Sequence, residues 1–195
     1  MKLHQAFEIV PGDVVSFIGA GGKTSLLVAL GYELAEAGWR VLATSTVGMD
    51  DHQLELMPHA LPLKIGAEAI SSALTHDRFV FVYDSIRHGK VHGIKPFDIP
   101  EMLDTVDSDV WLVEADVSAG LSIKAPYPDE PIIPAETTLV VPVASMSALS
   151  QTFDDDHVYN AQAIIDKYGF ARDTRIKSAW LAQILRDEDL GLYGV

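Results

Sequence analysis

The sequence predicts an α/β protein with three layers, in which helices cover both faces of a doubly wound, mainly parallel sheet. Short β-rich runs alternate with helical patterns along the chain, and one amphipathic helix separates the first two strands. The chain has 195 residues, 48% of them hydrophobic, which is enough for one domain with a substantial core. We therefore expect a single α/β domain over residues 1–195.

The first elements predict a strand–helix–strand unit with parallel strands. Val14–Ile18 is a β-rich run that ends in the glycine-rich segment Gly19–Gly22. The segment Thr24–Ala37 has leucines at helical spacing, and Arg40–Thr44 has the composition of a second strand. Because the two strands are joined by a helix, we expect them to lie parallel in one sheet.

The remaining elements continue the alternation of strands and helices. A proline-rich loop over residues 126–134 interrupts it once. In order, the patterns predict a short strand over Leu61–Ile65, a helix over Ala67–Leu74, a strand over Arg78–Tyr83, a hairpin that turns at His88–Lys90 and returns over Val91–Ile94, a helix from Asp98 through Leu103, strands over Val110–Val113 and Thr138–Val143, and helices over about Asp156–Tyr168 and Thr174–Arg186.

The charge and composition exclude several classes of function. The net charge of −14 repels nucleic-acid backbones and anionic lipids, so we expect neither as a partner. The absence of cysteine excludes disulfides, thiol catalysis and iron–sulfur clusters. The sequence has no signal-peptide pattern, and no run reaches the roughly 18 apolar residues of a membrane span. We expect a cytoplasmic protein.

The glycine-rich segment and the residues after it predict a nucleotide-binding loop of the P-loop type. The pattern is a short G-x-x-G-K-T, because Phe17 stands where the longer P-loop motif has its first glycine. Glycines let backbone amides curl around a phosphate, and the helix that follows adds its positive end. A lysine neutralises the outer phosphates, and a threonine hydroxyl is a ligand for Mg²⁺. The predicted nucleotide contacts are Gly19, Ala20, Gly21, Gly22, Lys23, Thr24 and Ser25, with Thr24 also on the metal.

Acidic and hydroxyl side chains follow two other predicted strands. Glu114 and Asp116 come directly after the Val110–Val113 strand, where we expect them to hold Mg²⁺ or to position a nucleophile. Thr44 and Thr46 end the second strand and are further candidate nucleotide contacts, although an ordinary hydroxyl-containing turn explains them almost as well. Lys124 is a candidate phosphate contact, and a solvated lysine is the alternative.

Several of these segments together resemble one known family. In chain order they are Gly19–Thr24, Val113–Asp116, Ser118–Gly120, Lys124–Pro126 and Asp129–Pro134, and they resemble the YqeC family over nearly the whole chain. Members are described as accessory proteins of selenium-dependent hydroxylases, associated with maturation of molybdenum-containing hydroxylases. The resemblance implies a P-loop nucleotide-binding fold, with Lys23 and Thr24 on nucleotide and Mg²⁺. It also implies that Glu114 and Asp116 form an acidic motif beside Lys124. The family further leads us to expect more sequence after Val195.

The sequence therefore predicts a Mg²⁺-nucleotide binding accessory protein, with ATP or GTP as ligand. The predicted activity is that of an NTPase in which Lys23, Glu114 and Asp116 are catalytic, and a molybdenum-hydroxylase maturation enzyme is the predicted protein partner. Two alternatives remain open. One is a nucleotide-dependent adaptor without hydrolysis, because Val47 and Val117 stand where the family commonly has lysine and glycine. The other is a ligase resembling the Mur enzymes, which share the short loop.

Overall fold

A parallel sheet of six strands forms the centre of the protein. The computed structural model describes residues 2–195. Within that range the strands are β1 (Val14–Gly19), β2 (Val41–Ser45), β3 (Met49–Asp50), β4 (Ala60–Pro62), β5 (Phe79–Tyr83), β6 (Ser85–Arg87), β7 (Lys90–His92), β8 (Val110–Glu114), β9 (Ile123–Lys124), β10 (Leu139–Val143) and β11 (Val158–Tyr159). The helices are α1 (Leu3–Ala6), α2 (Lys23–Glu36), α3 (Ala67–Asp77), α4 (Ile99–Thr105), α5 (Ala161–Tyr168) and α6 (Ser178–Leu185).

The central sheet has the order β10-β1-β8-β2-β5-β4, and every neighbouring pair is parallel. β1 therefore lies between β8 and β10, and its carboxyl end meets theirs at one edge of the sheet. A small antiparallel sheet, β3-β7-β6, and the parallel pair β9–β11 lie outside it. Ligands of open α/β sheets bind at the carboxyl ends of the strands, so this edge is where a site is expected.

Alternate residues of the central strands face two separate apolar cores, which gives the three layers. One core joins residues such as Phe17 and Leu112 to Leu27, Leu30 and Leu34 of α2. The other core lies on the opposite face, where residues such as Val113 and Trp111 pack against α3 and α4. The period of two along each strand places successive side chains on opposite faces, so both faces must be covered.

A third apolar cluster lies in the last part of the chain. It joins the β9 and β11 strands to α5 and α6, with Phe153 fully buried at its centre. Phe170 stacks on Trp180 with ring centroids 4.3 Å apart, and Phe153 meets both rings edge-on. This cluster fixes the segment after β10 against the carboxyl edge of the central sheet.

The predicted α/β class and its mainly parallel sheet are confirmed, and the differences lie at short elements. The two-residue strands β3, β9 and β11 have no pattern of their own and follow from pairing with distant segments. The predicted strand over Leu61–Ile65 is displaced to Ala60–Pro62, where it pairs with β5. The first late helix is shorter than predicted, because Val158–Tyr159 is paired with β9 and Asn160 has a positive φ of 53°.

No helix among residues 2–195 combines the length and apolar character that crossing a bilayer requires.

Candidate functional site at the glycine loop

The glycine loop, residues 19–22, connects β1 to α2 with a backbone that only glycine adopts easily. Gly19, Gly21 and Gly22 have φ values of +87°, +72° and +105°. A Cβ on Gly19 would lie 2.3 Å from the carbonyl oxygen of Val143, and one on Gly21 would lie 2.6 Å from the Cβ of Ser145. A Cβ on Gly22 would have no neighbour within 4 Å, so open space lies above that residue.

The amides of the glycine loop fall into two groups. The Gly19 amide donates to Asp116 Oδ2 at 2.7 Å, and the Ala20 amide donates to the Val143 carbonyl at 2.8 Å. The next five amides, of residues 21–25, have no acceptor within residues 2–195. These five are the end of the loop and the amino terminus of the 14-residue helix α2, which has no side-chain cap. Unpaired amides at a helix amino terminus attract an anion.

Lys23 lies under the loop with its side chain almost fully buried. Its ammonium donates to the Gly19 carbonyl at 2.7 Å, and the residue as a whole is 3% exposed. Burial lowers the pKa of Lys23, and the nearby charges of Glu114 and Asp116 oppose this change. A buried ammonium whose only described acceptor is a neutral carbonyl is available to an anionic ligand.

Thr24 and Glu114 form the contact between α2 and the end of β8. The Thr24 hydroxyl donates to Glu114 Oε2 at 2.8 Å, and no group within residues 2–195 hydrogen-bonds to Glu114 Oε1. Burial raises the pKa of Glu114, while Lys23 and the Thr24 hydroxyl act in the opposite direction. β8 pairs with β1 so that Glu114 lies opposite Phe17, which brings its carboxylate to the amino end of α2.

Asp116 has both carboxylate oxygens engaged. Oδ2 accepts from the Gly19 amide, and Oδ1 accepts from Lys124 Nζ at 2.5 Å. Lys124 also pairs with Glu130 and donates to the Val117 carbonyl at 2.7 Å. Burial raises the pKa of Asp116, and the hydrogen bond from Lys124 opposes it. Asp116 therefore links the base of the glycine loop to the loop that follows β8.

Two predicted nucleotide contacts point their hydroxyls elsewhere. The Thr44 hydroxyl donates to the Val82 carbonyl at 2.7 Å, and the Thr46 hydroxyl donates to the Ile132 carbonyl at 2.7 Å. Between them, the Ser45 hydroxyl lies within hydrogen-bond distance of the carbonyls of Val47 and Glu114, at 2.9 and 3.0 Å. These three hydroxyls hold neighbouring segments together at the sheet edge. The Ser25 side chain is exposed at the surface of α2.

A cavity of about 290 Å³ opens beside Glu114, over the ends of β2 and β8. The ion pair between Asp50 and Lys90, from the small antiparallel sheet, lies at its wall. The turn of residues 117–120 forms another wall, and Ala119 in that turn has a positive φ of 48°. A cavity of this size holds roughly ten water molecules or a small polar molecule.

The donor set fits Mg²⁺ bound together with phosphate better than it fits a metal held by protein alone. The oxygens of Thr24 and Glu114 are hard ligands of the kind that Mg²⁺ prefers. Within residues 2–195 no group of three or more His, Cys, Asp or Glu could hold a metal ion. Magnesium in nucleotide sites keeps several waters and uses few protein ligands, with phosphates completing the shell.

Two contacts of the glycine loop were not anticipated from the sequence. Ser145 and Ser122 pack against Gly21, where an added Cβ would meet them at 2.6 and 3.1 Å. Their positions depend on β10 lying next to β1 and on the chain returning to that edge twice. The only local signal is that Ser145 lies two residues after the predicted strand Thr138–Val143, which places it at the carboxyl edge.

Comparison with known proteins agrees on one family. The family model described as YqeC protein matches residues 15–162, which run from β1 into α5. The uncharacterized protein YqeC of Escherichia coli strain K12 is 31% identical over 183 residues, which cover 89% of this chain and 67% of that protein. No solved structure gives a significant match. Because the family model covers well over half of the chain, including the glycine loop and the end of β8, the chain belongs to the YqeC family.

Proposed function

We propose that this protein binds a Mg²⁺-nucleotide, ATP or GTP, with its phosphates in the glycine loop. The observation that carries the proposal is the row of five amides, residues 21–25, that have no acceptor among residues 2–195 and lie beside the buried Lys23 side chain. A phosphate group would accept from these amides and pair with Lys23, which adds charge-assisted hydrogen bonds to the helix-terminus effect. This is the P-loop type of site that the sequence motif predicts.

In the proposed site each residue has a separate role. Lys23 pairs with the outer phosphates, and the amides of residues 21–25 orient them. Thr24 and Glu114 supply oxygens for Mg²⁺, which neutralises phosphate charge when it is bound. Asp116 acts on the loop through the Gly19 amide, because both its oxygens are already engaged. The cavity beside Glu114 gives room for a water molecule or a second reactant.

The biological role we propose is that of an accessory protein in the maturation of a molybdenum- or selenium-dependent hydroxylase. The family resemblance supports this role, and the nucleotide would then drive hydrolysis or a change of partner. We infer nucleotide hydrolysis in which Lys23 and Glu114 act at the phosphates and the metal, whereas Asp116, predicted as a catalytic residue and metal ligand, positions the glycine loop. Lys124 would contact a phosphate only after exchanging its present carboxylate and carbonyl partners.

The alternative is a nucleotide-dependent adaptor that does not hydrolyse. One observation favours it: both oxygens of Asp116 are engaged, so of Glu114 and Asp116 it is Glu114 that has an oxygen without a hydrogen-bond partner among residues 2–195. Measuring phosphate release from Mg²⁺-ATP and Mg²⁺-GTP separates the two. Turnover that Glu114→Gln abolishes supports the NTPase, whereas tight binding without turnover supports the adaptor.

Isothermal titration tests the binding itself. We expect wild-type protein to bind Mg²⁺-ATP or Mg²⁺-GTP, and Lys23→Ala to bind at least roughly tenfold more weakly, because a charge-assisted hydrogen bond contributes about 1.5–3 kcal/mol. Lys64→Ala is the matched control, because Lys64 is an exposed lysine in the turn Leu63–Ile65. If folded wild-type protein binds neither nucleotide below millimolar concentration, the proposal is wrong.

A further inference from the structure

The loop after β10 lies directly against the glycine loop. The Ala20 amide donates to the carbonyl of Val143, the last residue of β10, and Ser145 packs on Gly21. The Ser145 amide donates to the Ser122 carbonyl at 3.1 Å, which fixes the loop to a second segment. The loop of residues 144–150, which we call the β10 loop, is thus a wall of the proposed nucleotide site.

The two neighbours of β1 approach the glycine loop from opposite sides. Glu114 comes from β8 and contacts Thr24, whereas Ser145 follows β10 and contacts Gly21. Thr24 and Glu114 would hold the metal that neutralises the outer phosphates of a nucleotide. The inner phosphate and the nucleoside would then leave the loop on the other side, where the β10 loop lies.

The β10 loop presents the groups that a nucleoside needs. Met146 is 69% exposed, although it is a large apolar side chain. Ser145 and Ser147 lie beside it with their hydroxyls 2.6 Å apart, and Ser122 is within 3.1 Å of Ser147. Residues 144–151 contain no charged side chain. A flexible thioether packs well on an aromatic ring, and hydroxyls bond to ribose or phosphate oxygens.

We propose that the β10 loop is the nucleoside subsite, in which the base of a purine nucleotide packs on Met146 and the serine hydroxyls face the sugar–phosphate junction. This inference rests on the proposed function, because it places the rest of the ligand whose phosphates the glycine loop binds. It assigns Met146 as a ligand-contacting residue. The uncharged loop has no carboxylate to accept from the N1–H and amino group of guanine, so ATP and GTP are expected to bind with similar affinity.

The test compares whole nucleotides with inorganic tripolyphosphate, which has the phosphates and no nucleoside. Titrations with Mg²⁺-ATP, Mg²⁺-GTP and Mg²⁺-tripolyphosphate are run on wild type, Met146→Ala, Met146→Leu and Lys23→Ala. A Met–aromatic contact contributes enough that Met146→Ala should weaken both nucleotides by roughly twofold to tenfold. Tripolyphosphate binding should not change. Met146→Leu retains an apolar surface and should recover most of the loss.

The controls separate failure of this inference from failure of the proposed function. Val10→Ala shortens another exposed apolar side chain, just before β1 at the far end of that strand, and should change nothing. If wild type binds neither the nucleotides nor tripolyphosphate, the proposed function fails, and this inference fails with it. If Lys23→Ala loses all three ligands but Met146→Ala changes none, or weakens tripolyphosphate equally, the subsite is wrong and the proposed function survives. A tenfold preference of wild type for GTP over ATP would overturn the proposal that the base is recognised through apolar packing on Met146.

Discussion

The amino termini of helices α1 and α2 differ in whether their first backbone amides have hydrogen-bond acceptors. At α1, the amides of Leu3 and His4 donate to the Glu33 carboxylate at 2.9 and 2.8 Å. At α2, the amides of residues 21–25 have no acceptor within residues 2–195. Glu33 itself belongs to α2, so α2 supplies the carboxylate that accepts from the first amides of α1, whereas within residues 2–195 no group accepts from the first amides of α2.

The pKa of Glu33 shows how strongly the amides at a helix amino terminus favour a negative charge. Burial acts to raise the pKa of Glu33, but the His4 and Leu3 amides and the His4 ring outweigh it and hold the pKa at about 2. An external phosphate at the start of α2 would meet a comparable set of donors, with the Lys23 ammonium in addition. The open helix terminus is therefore better explained as a place for a ligand than as an incomplete cap.

The two buried lysines, Lys124 and Lys23, differ in a similar way, in how many acceptors their ammonium groups have. Lys124 is held by Asp116, Glu130 and a carbonyl, whereas Lys23 has the Gly19 carbonyl. We expect Lys124→Met to lower the free energy of unfolding by about 3–5 kcal/mol, because it leaves buried carboxylates without their cation. Lys23→Met should change it by roughly 1 kcal/mol or less, since it removes a charge that burial already disfavours. Urea unfolding without ligand measures both, and equal losses would remove the distinction.

A substitution at Gly22 tests whether the amino terminus of α2 binds a ligand. Gly22→Ala meets no atom within 4 Å but places a Cβ at a φ of +105°, so we expect a cost of about 1–2 kcal/mol in unfolding free energy. The displaced amides should also weaken nucleotide binding. Gly12→Ala is the matched control, because its φ is +97° and its surroundings are equally open. A similar stability loss in both variants, with binding changed only in Gly22→Ala, is the expected pattern. Unchanged binding in Gly22→Ala would argue against a ligand there.

Much of this arrangement could be predicted from the sequence, because it depends on local patterns. The strand before Gly19, the helix after it and the strand before Glu114 each have a clear period, and parallel strands bring their carboxyl ends together. The predicted proximity of Lys23, Thr24, Glu114 and Asp116 then follows from topology.

Side-chain partners could not be predicted in the same way. Thr44 and Thr46 lie at the predicted edge, but each hydroxyl reaches a carbonyl of a different distant segment. The engagement of Lys124 by Glu130 depends on how the proline-rich loop folds back, and the approach of Ser145 to Gly21 depends on β10 pairing with β1. These contacts arise from tertiary packing that no local period encodes.

Thr24 tests the link between the open helix terminus and the proposed metal. Thr24→Val removes the donor to Glu114 Oε2, so we expect the unfolding free energy to fall by about 1 kcal/mol. Mg²⁺ should then no longer strengthen nucleotide binding in a titration with and without the metal. Thr24→Ser keeps the hydroxyl and should retain the Mg²⁺ effect. Wild-type Mg²⁺ dependence in Thr24→Val would remove Thr24 from the proposed metal shell.

Glu33 gives the smallest effect and tests the capped helix terminus. The pKa of Glu33 is depressed from 4.5 to about 2, so its stabilisation is fully present above pH 4.5 and is lost as the pH falls towards 2. Wild type should have a higher Tm than Glu33→Gln at pH 7, and the difference should shrink as the pH falls through that window. A difference in Tm that stays constant down to pH 2.5 would show that the carboxylate charge is not what caps α1.

The most direct test of the account observes the amides themselves. A ¹⁵N-labelled sample is titrated with Mg²⁺-ATP while the backbone resonances are followed by NMR. The account predicts that the amides of residues 21–25 shift strongly and saturably, while those of Leu3 and His4, already bonded to Glu33, stay in place. Resonances of residues 21–25 that do not move at millimolar Mg²⁺-ATP would contradict the central claim that this helix terminus is open for a nucleotide.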